Sequence, residues 1–213
     1  MKKENKVQRV YSSRNNEELA ERYDQWAKDY DTDLEHDFGY LGPQFTAKFF
    51  VRYVPKEARI LDAGAGTGLM GEVLTRLGYH DLVAMDLSPG MLDEARKKNV
   101  YRELHQMMMG EPLDFASDSF DVVVSVGVLT VGHAPASSLD ELVRITKPDG
   151  YIFFTLRPDI YESHGFKEKQ DALESEGGWK LVEISEKLQS LAKGEPDVYS
   201  QVWVYQVISP KKL

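Results

Sequence analysis

A doubly wound, Rossmann-like α/β sheet is the fold this sequence predicts, and three observations carry the prediction. The runs "ARILDAG", "LVAMDLS", "FDVVVSV" and "YIFFTL" are short and nearly continuous in apolar, β-branched or aromatic character, as strands buried on both faces of a parallel sheet are. Segments of helical period alternate with them, and strand–helix alternation builds a parallel sheet covered on both sides. A glycine-rich turn, "DAGAGTG", joins the first of these strands to the helix after it, where such a sheet keeps its ligand.

In chain order, the start "MKKENKVQRVYSS" is basic with no apolar run behind it, which does not read as a secretory signal. Residues 1–15 read as a flexible tail. From Asn16 to about Leu34 the apolar positions Leu19, Tyr23, Trp26, Tyr30 and Leu34 recur at three and four, a helix with one apolar face and Asn16 as its N-cap. A second helix follows Gly42-Pro43 through "QFTAKFFVRYV" and stops at Pro55. Between the core strands lie "LMGEVLTRLG", ending on Gly78, and "SPGMLDEARKK", with Ser88 as cap and Pro89 in the first turn. "ELHQMMM" is a weaker strand of the same series, with Met107-Met108-Met109 read as strand core. "SSLDELVRITK" carries Ser138 and Glu141 at capping-box spacing. After residue 160 come one helix, "FKEKQDALESEG", and two strands, "WKLVEIS" and "VYSQVWVYQVIS", whose short connection suggests an antiparallel pair. This is one domain over residues 16–213: a helical lid over 16–55, a core over 56–160 and a C-terminal part of the sheet over 161–213.

Composition removes several functions. The 213 residues can bury a proper core, and no stretch approaches the roughly 18–20 apolar residues of a membrane helix. With no cysteine there are no disulfides, thiolate metal sites or Cys nucleophile, in keeping with a reducing cytoplasm. A net charge of −9 argues against a chain that neutralises many phosphates, so nucleic acid is not expected as substrate. The histidines at 36, 80, 105, 133 and 164 lack metal-ligand spacing, and neither a G-x-S-x-G elbow nor a P-loop occurs.

The chemistry lies in "ILDAGAGTGL". Gly64, Gly66 and Gly68 let backbone approach a ligand that a Cβ would push away. A dinucleotide turn wants G-x-G-x-x-G; here Leu69 stands where that pattern reserves its third glycine. Asp62 lies two residues before Gly64, and its carboxylate would oppose a diphosphate but suit a ligand that brings a cation. Asp86 closes the second strand, where an acid accepts both ribose hydroxyls. Ribose recognition, a close glycine turn, a negative neighbour and no phosphate partner describe S-adenosylmethionine (SAM).

With "YDQWAKDYD", "DAGAGTGL", "DLSPGML", "GEPL", "SFDVVVSVGVL" and "ITKPDG" in that order and spacing, the chain resembles the class I SAM-dependent methyltransferases of the small-molecule type. Within them it is most similar to the Williams–Beuren syndrome chromosome-region methyltransferase-like group. The resemblance covers roughly residues 20–160 and implies a seven-stranded sheet, mostly parallel, whose last strand is antiparallel. It further implies that Gly64, Ala65, Gly66 and Gly68 hold the methionine moiety, that Asp86 holds the ribose, and that Leu87 and Met91 pack on the adenine. Gly110 and Val126 join the cofactor site on the same basis. Many relatives end the third strand with an acid for the adenine amino group; this chain has Met109 there, so adenine would rely on backbone from Met109 to Glu111 or on the Glu111 side chain.

The resemblance makes the "YDQWAKDYD" helix a lid whose Trp26 or Tyr30 faces the cofactor, since Tyr and Trp faces attract a sulfonium. Asp24, Asp29 and Asp31 are then caps, solvent-facing charges or amine-seeking groups. Methyl transfer from SAM needs alignment and exclusion of water, and a base only where the acceptor carries a proton. His133, just past the fourth strand, is the candidate base, and Tyr40 and Arg157 are candidates for the acceptor pocket. The expected function is methyl transfer to a small-molecule acceptor. Its competitors are a SAM-binding regulatory protein without turnover and an NAD-dependent oxidoreductase of similar fold.

Overall fold

The computed structural model describes residues 5–208. Helices α1 (Lys6–Tyr11) and α2 (Asn16–Asp33) lead through a π-helical turn (Leu34–Phe38) into α3 (Gly42–Tyr53). The core follows as β1 (Ile60–Ala63), α4 (Leu69–Arg76), β2 (Leu82–Asp86), α5 (Pro89–Lys97), β3 (Glu103–Gln106), β4 (Phe120–Leu129), α6 (Ser138–Ile145) and β5 (Thr146–Leu156). The chain closes with α7 (Phe166–Ser175), β6 (Trp179–Ile184), β7 (Leu188–Gln189) and β8 (Tyr199–Val207).

Strands run in the order β3-β2-β1-β4-β5-β8-β6. The β1, β2, β3, β4 and β5 pairings are parallel, and β8 runs antiparallel to both β5 and β6. The doubly wound sheet with an antiparallel last strand is therefore as expected; the two-residue β7, paired with β8, is an extra eighth strand. Side chains alternate across the sheet with period two. Leu61, Ala63, Val83, Met85 and Val123 enter one core with α6, while Ile60, Leu82, Val122 and Val124 enter the other beneath Phe50 of α3. Chain direction reverses its winding at β1, whose neighbours are β2 and β4, and ligands bind at the carboxyl ends of strands there.

Four local expectations need correction. Part of the expected tail is helix α1: Asn5 caps it by accepting from the Val7 and Gln8 N–H groups, and Val7 and Val10 are buried with Leu19, Trp26 and Leu34. Three apolar positions in six residues, Val7, Val10 and Tyr11, are too short a run to show a period. Residues 1–4 lie outside the described residues. The α2 cap is Asn15, which accepts from Glu18 N, rather than Asn16. No capping box forms at α6, because Glu141 turns to Arg144 and to Leu113 N. β3 ends at Gln106, so Met107-Met108-Met109 is the loop leaving the strand. Among the described residues no helix is long and apolar enough to cross a membrane.

Candidate active site

The turn after β1 is pinned first by backbone. Gly64 and Ala65 N–H groups both donate to the Met85 carbonyl, at 2.8 and 3.0 Å. Gly64 has φ +79°, and a Cβ there would stand 2.3 Å from a Val128 methyl. Gly66 has φ +55° and a Cβ there would meet no protein atom within 4 Å; what lies above it is open cavity. Gly68 serves packing instead, since its missing Cβ makes room for the Tyr101 ring.

Asp86 ends β2 and binds this turn. One carboxylate oxygen accepts from Gly66 N at 2.8 Å and the other from Ser88 N at 2.9 Å. Burial raises its pKa, and those backbone donors oppose the rise. Each oxygen retains acceptor capacity for a hydroxyl. Asp62 is placed differently from expectation. It borders neither cavity described below: Tyr101 covers it and donates its hydroxyl at 2.6 Å. Burial lifts its pKa to about 7.

A cavity of about 660 Å³ opens over Gly64 and Gly66 and is bounded by Asp86, Leu87, Met91 and Val126. Its apolar walls also include Met85, Met107, Met108, Met109 and Ala134, and Tyr23 and Tyr30 roof it. These residues fit SAM: space at the glycine turn, an acid with free acceptor capacity, soft apolar walls for a flat ring, and aromatic faces for a cation. SAM supplies an electrophilic methyl group on a sulfonium. Of the other expected cofactor residues, Ala65 and Gly68 shape the turn without bordering the cavity. Gly110 packs against Pro135, where its Cβ would stand 2.8 Å away. Glu111 is exposed and does not border the cavity, whereas Met107, Met108 and Met109 do.

The acids of "YDQWAKDYD" tie α2 to the segments around it. Asp24 accepts from the Ser88 hydroxyl at 2.5 Å and from Gly90 N at 2.7 Å, capping α5 from outside, as a carboxylate at a helix N-terminus does. Asp31, two turns along the same face, accepts from the Thr67 hydroxyl at 2.5 Å and pairs with Lys98 at 2.6 Å. Asp29 meets Lys6 of α1 at 3.2 Å. The rings project to the other side, with Trp26 and Tyr30 edge to face at 4.7 Å. Trp26 borders not the cofactor cavity but a second one, and its indole N–H donates to Asp33 at 2.8 Å.

That second cavity, about 780 Å³, is walled by Tyr11, Tyr23, Trp26, Tyr30, Tyr40 and Phe45, with Leu129, Thr130, Thr155, Ser190 and Gln201 beneath. It shares Tyr23, Tyr30 and Gly127 with the first. Tyr40 and Arg157 both border it. Arg157 is however held by Asp159 through two hydrogen bonds, at 3.0 and 2.5 Å, so its charge is already matched. His133 borders the cofactor cavity alone. Its Nδ1 lies 2.8 Å from the Val131 carbonyl and its Nε2 2.7 Å from the Tyr23 hydroxyl. A carbonyl only accepts, so Nδ1 carries the proton and Nε2 accepts from Tyr23. Burial lowers the His133 pKa and raises those of Tyr23, Tyr30 and Tyr40.

Sequence reasoning missed Tyr101 and Tyr11, and allowed Asp24 and Asp31 a capping role without identifying what they bind. The spacing of seven between the two aspartates puts them on one helix face and was the available signal; Tyr101 and Tyr11 lie in unpatterned stretches and gave none.

Comparison with known proteins identifies the arrangement. Residues 61–154 match the family described as "Methyltransferase domain". Human methyltransferase-like protein 27 is 33% identical over 182 residues, covering 81% of this chain and 74% of that protein. Among solved structures, a TehB-like SAM-dependent methyltransferase from Corynebacterium glutamicum aligns with TM-score 0.63 at 21% identity, over 88% of this chain and 98% of that one. The (4+2)-cyclase SpnF aligns with TM-score 0.69 at 14% identity, over 93% and 98%; at such identities both speak for the fold alone. A relative matched over about three-quarters of its length, a matching domain and a cavity shaped for the cofactor agree, and the chain belongs to the class I SAM-dependent methyltransferase family, with S-adenosylmethionine as its cofactor.

Proposed function

We propose that this chain transfers the methyl group of SAM to a small organic acceptor by in-line displacement, and that it belongs to the Williams–Beuren-type group within its family. The observation that carries this reading is the shared wall: the cofactor cavity and the aromatic cavity meet at Tyr23, Tyr30 and Gly127. A methyl donor in one and an acceptor in the other approach each other at that wall, enclosed by the lid, which supplies alignment and exclusion of water. Gly64 and Gly66 receive the methionine portion, Asp86 the ribose hydroxyls, and Leu87, Met91 and the Met107–Met109 loop the adenine. Tyr30 and Tyr23 face the sulfonium. Tyr40 lies on the acceptor side.

The acceptor is a small molecule rather than nucleic acid on two grounds. The net charge is −9, which opposes a polyphosphate chain, and no lysine borders the aromatic cavity while its one arginine is paired. Absence of cysteine fits work in the cytoplasm. Incubating the protein with methyl-labelled SAM and a library of small acceptors tests the reading. Labelled product with stoichiometric S-adenosylhomocysteine (SAH) supports it; tight SAH binding with no labelled product across the library favours a regulatory SAM-binding role instead.

A further inference from the structure

We propose that Tyr23 and His133 form a proton relay for an acceptor hydroxyl, and that the aromatic cavity takes an uncharged phenol. This rests on the methyltransferase reading and names the acceptor class of the same site.

The geometry leads there in steps. His133 borders only the cofactor cavity, whereas Tyr23 borders both. A proton leaving an acceptor therefore reaches the imidazole through the Tyr23 oxygen. The relay is already assembled: Val131 fixes the imidazole as its Nδ1–H tautomer, and the Tyr23 hydroxyl donates to Nε2 at 2.7 Å. A phenolic oxygen that donates one hydrogen bond can still accept another, here from the acceptor's hydroxyl. An oxygen acceptor needs this help, because a neutral hydroxyl is a poor nucleophile until its proton leaves. A neutral amine attacks through its lone pair and gains little from a buried relay.

The cavity selects the rest of the molecule. Its walls are largely apolar, six aromatic residues beside eight valines and leucines, and the rings among them suit another ring. No acid, lysine or histidine borders it, and its one arginine is paired with Asp159, so an ionised acceptor would lose its hydration without a counter-charge. The Thr130 hydroxyl borders the same cavity in a residue 8% exposed and has no hydrogen-bond partner, leaving one polar anchor for a second oxygen on the ligand. Phenols also give up a proton far more readily than aliphatic alcohols, at about pH 10 for a tyrosine-like ring.

In the transfer the acceptor's O–H proton passes to the Tyr23 oxygen and the Tyr23 proton passes to His133 Nε2. The new oxygen–carbon bond forms as the sulfur–carbon bond breaks, with its electron pair left on sulfur. One positive charge, first on sulfonium and then on imidazolium, is present throughout, and the imidazolium proton finally leaves to solvent.

The test uses three probes with one ring system: 2-naphthol, 2-naphthylamine and 2-naphthoate. Calorimetric titration into the SAH complex should give comparable affinities for the first two and at least tenfold weaker binding of the carboxylate. With SAM, 2-naphthol should yield 2-methoxynaphthalene. Tyr23→Phe should lower its kcat by about 100-fold, the lower range for acid–base catalysis, with KM within about threefold. His133→Gln, whose amide oxygen still accepts from Tyr23, should do the same. Long-range proton–nitrogen NMR should show His133 with its proton on Nδ1, and a displaced Nε2 resonance in Tyr23→Phe. Faster methylation of the amine, no ether product from 2-naphthol, tightest binding of the carboxylate, or unchanged kcat in either variant overturns the proposal. Failure of SAH itself to bind overturns instead the reading on which it rests.

Discussion

The two cavities that meet at Tyr23 are built by opposite strategies. The cofactor side takes its turn, its acid and much of its wall from residues 64–91, where β1, α4, β2 and α5 follow one another, and it uses backbone: missing Cβ atoms at Gly64 and Gly66, and amide groups held by Asp86. The aromatic cavity draws on α1, α2, the loop before α3, and the ends of β4, β5 and β8, and it uses side chains, aromatic and aliphatic together. A ligand shared by a whole family is gripped by chain geometry, which tolerates little change. The fold is accordingly shared with solved structures only 21% and 14% identical to this chain.

The sharpest way to break that contrast is within the turn itself. Gly64→Ala places a Cβ 2.3 Å from Val128 at φ +79°, combining left-handed strain with overpacking, roughly 2–5 kcal/mol together. It should both lower the melting temperature and abolish SAH binding. Gly66→Ala, with open space above it, should cost only the backbone strain of about 1–2 kcal/mol yet still weaken SAH. Equal melting temperatures for the two variants would contradict the division between packing and ligand roles.

Next in size is Asp62. Its carboxyl, raised to about 7 in the folded chain, titrates near 3.9 when unfolded. Between those values the folded state holds the extra proton, so stability falls as pH rises from about 4 to 7. Asp62→Asn keeps an acceptor for Tyr101 and removes the titration. It should be more stable than the parent by up to about 4 kcal/mol at pH 8, with little difference at pH 4, measured by denaturant unfolding. A difference independent of pH would remove this account of the buried acid.

Asp86→Ala should weaken SAH at least tenfold, about 1.4 kcal/mol, by removing the ribose acceptor and freeing Gly66 N; unchanged affinity ends the ribose assignment. Smallest is the tie from Asp24 to α5. Asp24→Ala removes the acceptor for Ser88 and Gly90 N, an effect of about 1 kcal/mol for a capping group. Hydrogen exchange should speed in α2 while β1 and β2 stay protected, and uniform speeding would show that the lid is no separable unit.

How much of this was readable beforehand follows the same division. Strands β1, β2, β4 and β5 were legible because burial on both faces leaves an apolar run, and the glycine turn because positive φ demands glycine at fixed spacing. Asp62 was legible as an acid but not as one turned from the ligand, because only the packing of Tyr101, 39 residues later, buries it. Helix α1 leaves too short a period to detect, and its contacts lie with α2 and Glu195. Tyr23 carried a helical period but no sign that His133, 110 residues away, receives its hydroxyl. Contacts of that range leave no mark in a single sequence.

The glycine turn, Asp86 and the methionine walls are proposed here to form a pocket for an adenosyl ligand without a diphosphate. Calorimetric titration of the purified protein with SAH, and with NADH beside it, tests that claim most directly. One-to-one micromolar binding of SAH and no heat from NADH are expected. Binding of NADH as tight as that of SAH, or tighter, would contradict that claim.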